Sequence, residues 1–241
     1  MMSTQKGGLD EVVQRFDRLL RAACGVGNRA ARPVPAAAPG DGRGDTAGAT
    51  PSASVAGAGA DAGLGDADAT MTPSERRHAA GLMRVNHAGE VCAQALYIGQ
   101  SFAARTPDTR ALLDRSADEE FDHLVWCRTR LEELGHGPSR LDPIWFMGAL
   151  TMGTVAGVLG DRVSLGFLQE TERQVEAHID DHLEKLPPQD TRSRAILETM
   201  KAEEMHHAET ARKAGAMRFP PPVKKAMAGI SKVMTRTAYF V

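Results

Sequence analysis

Apolar positions along this chain recur three and four apart, the spacing of a helix face, and almost nowhere alternate as in a strand. The first such run is 9–23, "LDEVVQRFDRLLRAA", where Leu9, Val12, Val13, Phe16, Leu19 and Leu20 share one face. A short amphipathic helix is expected over 1–23. The pattern then stops. Residues 24–70 are rich in Ala, Gly, Pro and Asp and nearly lack large apolar side chains. Such a stretch cannot offset the entropy of ordering itself, so it is read as a disordered linker. Periodicity resumes at "TPSE", where Thr72 caps, Pro73 suits the first turn and Glu75 completes a capping box. From there the helices are expected at about 73–104, about 107–134, about 142–160, about 161–186, about 190–215 and about 222–237, with Gly, Pro and Asp punctuating them. Residues 71–241 therefore predict one all-α domain. Four of its helices are long, and no strand is expected.

Composition narrows the class. The 241 residues carry a net charge of −2, which gives no pull toward nucleic acid. Cys24, Cys92 and Cys127 are scattered without a C-x-x-C pair, which argues against a disulfide framework or a thiolate metal site. The N-terminus lacks the basic and apolar regions of a secretory signal.

Two short stretches stand out: "DEEFDHLVW" at 118–126 and "AEEMHHAE" at 202–209. Each holds Glu-x-x-His, as Glu120 with His123 and Glu204 with His207. Residues three apart share a helix face, so a carboxylate and an imidazole there can reach one metal ion. A single match is commonplace on a charged surface helix. Two matches gain force when each has a partner carboxylate, because a di-metal bundle site uses one Glu from each of two helices and Glu-x-x-His from the other two. Glu90 precedes Glu120 by thirty residues, and Glu172 precedes Glu204 by thirty-two. The intervening turns fall near 105 and 188, so each member of a pair lies ~22–24 Å from its turn. In two antiparallel hairpins all four carboxylates can meet at one level. Their charge balances that of two divalent cations, and mixed carboxylate and imidazole ligation suits iron or manganese better than zinc. A di-iron site with O2 chemistry is the expectation.

Sequence leaves alternatives at several positions. Glu119 also reaches His123, at i+4, and Glu203 has His206 and His207 nearby. The i,i+3 geometry common to both pairs favours Glu120 and Glu204. Glu170 and Glu176 compete with Glu172, which fits the turn symmetry best. His87, three before Glu90, has ligand, outer-partner and plain helix-face readings. His178, six after Glu172, reads as a group beside the ligands. Tyr97 and Trp126 read as core.

The segments "LMRVNHAGEVCAQALYIGQ" (82–100), "EEFDHLVW" (119–126), "FMGALTMGTVAGVLGDRVSLGF" (146–167), "ETERQVEAHI" (170–179) and "KAEEMHHAETA" (201–211) together resemble the ubiquinone-biosynthesis family called Coq7, the demethoxyubiquinone hydroxylases, in its bacterial form. The resemblance spans about 70–218. It implies a ferritin-like four-helix bundle holding two iron ions (Fe2+) per chain. It also implies a monooxygenase that hydroxylates the ring of a polyprenylated demethoxyubiquinol, with O2 as co-substrate and an external reductant that the sequence does not name. By motif match the iron ligands are Glu90, Glu120, His123, Glu172, Glu204 and His207, with His178 beside them.

A polyprenyl quinol resides in a bilayer. Residues 144–160, "IWFMGALTMGTVAGVLG", are uncharged but fall short of the ~20 needed to span. Given the resemblance, this segment is expected to be an extra helix docking on the membrane, with Gly148, Gly153, Gly157 and Gly160 allowing close packing. The basic last helix suits an anionic headgroup layer. The expected location is peripheral, on the cytoplasmic side of the inner membrane. Other ubiquinone-biosynthesis proteins are candidate partners, and nucleic acid is not. The main rival is a ferritin-like iron-storage or ferroxidase protein.

Overall fold

The computed structural model describes residues 30–36 and 70–241, and within them it is helical throughout, with no strand. The helix expected at 9–23 lies outside the described residues. Six helices follow one another: α1 (Pro73–Ala103), α2 (Pro107–Glu133), α3 (Asp142–Val158), α4 (Asp161–Lys185), α5 (Thr191–Lys213) and α6 (Pro221–Phe240). The punctuation read from sequence sets these ends. Thr72 and Glu75 form the capping box of α1. Thr106 caps α2, and the Asp190 carboxylate caps α5 by accepting from Ser193 N–H at 2.8 Å.

Helices α1, α2, α4 and α5 form the bundle, as two hairpins with short turns at 104–106 and 186–190. Polar ties lock the hairpins together at both ends. Asp161, in the first turn of α4, accepts from the N–H groups of Arg105 and Thr106 and from the Thr106 hydroxyl. At the other end, Arg130 near the end of α2 donates to Asp190 at 2.9 Å, both residues being buried. A buried pair of this kind fixes register more than it adds stability.

Helix α3 lies along α1, and glycine makes the approach possible. A Cβ on Gly153 would collide with the Leu96 carbonyl oxygen, and one on Gly99 would sit 2.5 Å from the Leu150 carbonyl oxygen. Gly157 meets Ala103 and Gln100 in the same way, but Gly148 faces open space. Gly160 serves differently: its φ of 112° lets it stand as the N-cap of α4. Among the described residues nothing covers the other face of α3. Ile144, Met147, Val155 and Val158 are more than half exposed. Among the described residues, no helix is long and apolar enough to cross a membrane.

Residues 30–36 fall within the stretch read as linker, yet here they lie against the bundle. Ala30 and Val34 touch the apolar cluster around Met83, Trp126 and Leu197. Arg32 ion-pairs with Asp122 and Glu203. Polar anchoring, rather than apolar burial, holds this piece.

Candidate metal centre

On each bundle helix the apolar residues split into two groups with a polar gap between them. One cluster takes Met83 from α1, Trp126 and Leu131 from α2, Ile179 from α4 and Met200 from α5. The other takes Tyr97, Leu113, Leu165 and Ala211 from the same four helices in turn. The gap on α1 holds Glu90, on α2 Glu120 and His123, on α4 Glu172, and on α5 Glu204 and His207. These six residues form a polar layer sealed above and below by apolar side chains. None is more than 4% exposed.

Ligand-type atoms of Glu90, Glu120, His123 and Glu204 all lie within 4.8 Å of one another. His123 Nδ1 is 2.8 Å from Glu120 Oε2 and 3.3 Å from Glu204 Oε1. His207 Nδ1 is 2.8 Å from Glu120 Oε1 and 3.8 Å from Glu204 Oε2. Glu120 and Glu204 therefore each lie between the two imidazoles. Glu90 sits on the His123 side at 3.9 Å. Glu172 lies beside Glu204 and takes a hydrogen bond from the Tyr97 hydroxyl.

Charge in this layer is crowded. Burial and the neighbouring Glu120 push the Glu90 carboxyl well above its usual range. Burial and Glu204 do the same to Glu172. Burial would raise Glu120 too, but His123 and His207 outweigh it and hold Glu120 low. His207, despite its burial, is raised to about 12 by Glu120 and Glu204. Protons thus supply the positive charge that four facing carboxylates need. Among the described residues Glu90 Oε2 and Glu204 Oε2 are nonetheless buried without a hydrogen-bond partner, and the close His207 Nδ1–Glu120 Oε1 pair is not aligned as a hydrogen bond. Buried polar atoms of this kind call for an ion or a partner, and mixed Oε and Nδ1 donors aimed at one centre fit two divalent cations.

The outward edges of both imidazoles are also held. His123 Nε2 is 2.7 Å from Glu203 Oε2, and His207 Nε2 is 2.7 Å from Glu119 Oε2. The carboxylates left ambiguous by the sequence, Glu119 and Glu203, are therefore crossed partners: each serves the histidine of the other helix. Helix crossing decides this, and spacing within one helix carries no trace of it.

Three further residues are placed by the structure. His87 lies 3.2 Å from Asp142 at the start of α3 and is not in the carboxylate group. His178, expected beside the ligands, lies against His182 with ring centroids 3.9 Å apart and groups with Asp181. Six residues turn it about 240° around the helix from Glu172, which explains the departure. Tyr97 is core as read, but its hydroxyl donates to Glu172. Trp126 likewise packs, and its ring NH reaches the Arg32 carbonyl at 3.3 Å.

The model of the family described as "Ubiquinone biosynthesis protein COQ7" matches residues 77–238. The chain belongs to this family. A relative from Ralstonia pickettii named 3-demethoxyubiquinol 3-hydroxylase is 51% identical over 231 residues, covering 96% of this chain and 99% of that protein. Relatives of the same name from Paraburkholderia xenovorans and Burkholderia cenocepacia are each 48% identical over 97% of this chain and 99% of their own length.

Proposed function

We propose that this chain is a 3-demethoxyubiquinol 3-hydroxylase, an oxidoreductase of ubiquinone biosynthesis. It adds a ring hydroxyl to a polyprenylated demethoxyubiquinol at the expense of O2. The observation that carries the proposal is the sealed Glu and His layer, found in a chain whose relatives share that name over nearly their whole length. Glu90, Glu120, His123, Glu172, Glu204 and His207 are the ligands of two iron ions in this reading. Glu120 and Glu204 each lie between the two imidazoles, Glu90 lies near His123, and Glu172 lies beside Glu204, so these six side chains would hold the two ions between them.

When bound, two ferrous ions supply O2 binding and reducing electrons. The chain supplies the setting. Glu119 and Glu203 accept from the two Nε2–H groups, which leaves each Nδ1 lone pair facing inward. Tyr97 orients Glu172 by donating to it. The two apolar clusters keep bulk water from the layer. One oxygen atom enters the ring at a carbon bearing hydrogen and the other leaves as water, so two electrons and two protons come from an external reductant.

The substrate's tail places the enzyme at a membrane surface, on the cytoplasmic side of the inner membrane. The uncovered face of α3 supports this. So does α6, where Ile230, Val233 and Phe240 are exposed on a helix that carries Lys224, Lys225, Lys232 and Arg236 and no acidic residue. Such a surface suits an anionic headgroup layer.

The test is turnover of protein loaded anaerobically with ferrous iron, given a short-chain demethoxyubiquinol, a chemical reductant and oxygen-18 gas. A product carrying one labelled oxygen is expected. No hydroxylated product, or one without label, contradicts the proposal.

A further inference from the structure

The two imidazoles of the metal layer are not held alike, and the difference comes from residues 30–36. Glu203, behind His123, is gripped by Arg32 through both carboxylate oxygens: Nη1 donates to Oε1 at 2.6 Å and Nη2 to Oε2 at 3.0 Å. The same guanidinium donates through Nε to Asp122 at 2.7 Å. Glu119, behind His207, is 53% exposed, and among the described residues no lysine or arginine reaches it.

Arg32 is itself anchored by several independent contacts. Its neighbour Ala31 donates its N–H to Asp122 at 2.7 Å. Its own carbonyl accepts from the Trp126 ring NH, and its guanidinium lies 4.7 Å from the centroid of that ring. Three residues after Arg32, the Pro35 carbonyl accepts from Arg192 at 2.9 Å. Asp122 and Trp126 are buried, so this short piece of chain supplies partners to groups that have no water to turn to.

We propose that Arg32 is a positioning residue of the metal centre: it pins Glu203 against His123 Nε2 and so fixes the aim of His123 Nδ1, leaving the His207 half comparatively free. The inference rests on the di-iron reading given above. Its physical basis is geometric. A carboxylate on a half-exposed helix edge samples several rotamers, and a bidentate arginine removes that freedom. An imidazole held by a fixed acceptor keeps both its tautomer and its ring orientation. Residues 30–36 then form one wall of the site on the His123 side, although they lie some ninety residues from the nearest group they serve.

Iron-57 Mössbauer spectra and ferrous-iron affinity by chelator competition test this on the full-length chain. Arg32→Ala is expected to weaken one of the two irons about tenfold, the low end for an outer partner of a ligand, and to change one ferrous quadrupole doublet while leaving the other. In a Glu203→Gln background, adding Arg32→Ala is expected to change affinity by less than about twofold, because the route through Glu203 is already gone. Arg32→Lys, which keeps charge but cannot bond Glu203 and Asp122 together, is expected to fall between wild type and Arg32→Ala. If Arg32→Ala does not fold, Arg32→Lys is read against wild type in the same way. Two unchanged irons, two irons weakened equally, or a full Arg32→Ala effect in the Glu203→Gln background would each overturn the inference. Absence of iron from the wild-type protein would instead overturn the di-iron reading itself.

Discussion

His182 shows how strongly this interior controls charge at a single residue. It is buried, its Nδ1 faces the Asn86 side-chain amide at 2.9 Å, and His178 lies alongside. Burial and the positive potential of His178 push it from 6.5 to about 3, with Lys185 and His78 acting in the same sense and Asp181 against them. The folded protein therefore binds fewer protons here than the unfolded chain. Stability from this residue is fully present above about 6.5 and is lost as pH falls from there toward about 3. Chemical denaturation at pH 7 and pH 5 is expected to show a drop of roughly 1–2 kcal/mol in wild type from this residue. His182→Gln should shrink the difference between the two pH values by that amount. An unchanged difference would show that His182 is charged or exposed in the folded state. At this scale the sequence showed which residue types converge, because Glu-x-x-His twice with matched partners is a geometric statement. The i,i+3 spacing favoured Glu120 over Glu119 and Glu204 over Glu203, but it did not show that Glu119 and Glu203 each serve the histidine of the other helix. One residue of shift on a helix changes which neighbouring helix is faced, and only packing settles that.

Helix ends were legible because they are chemical events: the Thr72–Glu75 box with Pro73, Thr106 with Pro107, and Asp190 each satisfy or remove a backbone group. The crossing of α3 over α1 was half legible. Gly153 and Gly157 work as expected, Gly148 does not, and Gly99 on the opposing helix carries no local signal of its role. This contrast makes a prediction. Gly153→Ala places a methyl against the Leu96 backbone and should cost about 1–3 kcal/mol, as overpacking does. Gly148→Ala meets no neighbour and should raise stability by up to ~1 kcal/mol through helix propensity. Urea denaturation of both variants checks the pair. Equal effects would mean that α3 does not press on α1 as described. The piece at 30–36 was not legible at all. It has no periodicity, and its partners Asp122 and Glu203 are remote in sequence.

At the scale of the bundle, a sealed polar layer lies inside, and among the described residues two apolar or basic faces stay uncovered, on α3 and α6. The two features separate experimentally. Flotation with anionic vesicles should carry wild-type protein up with the lipid. Val155→Asp combined with Val158→Asp should leave more of it behind while iron content stays the same, since both side chains point away from the bundle. Undiminished flotation of the double variant would remove α3 from the docking surface.

The central claim is that four buried carboxylates and two imidazoles meet in order to hold two irons. Iron stoichiometry with Mössbauer spectroscopy, on protein reconstituted anaerobically with iron-57 and then oxidised, tests it most directly. The account predicts about two irons per chain as an antiferromagnetically coupled pair, as carboxylate-bridged ions at ~3.5–4 Å should give. One iron, uncoupled irons, or none would contradict it, and the sealed layer would then be a proton-balanced cluster without a metal.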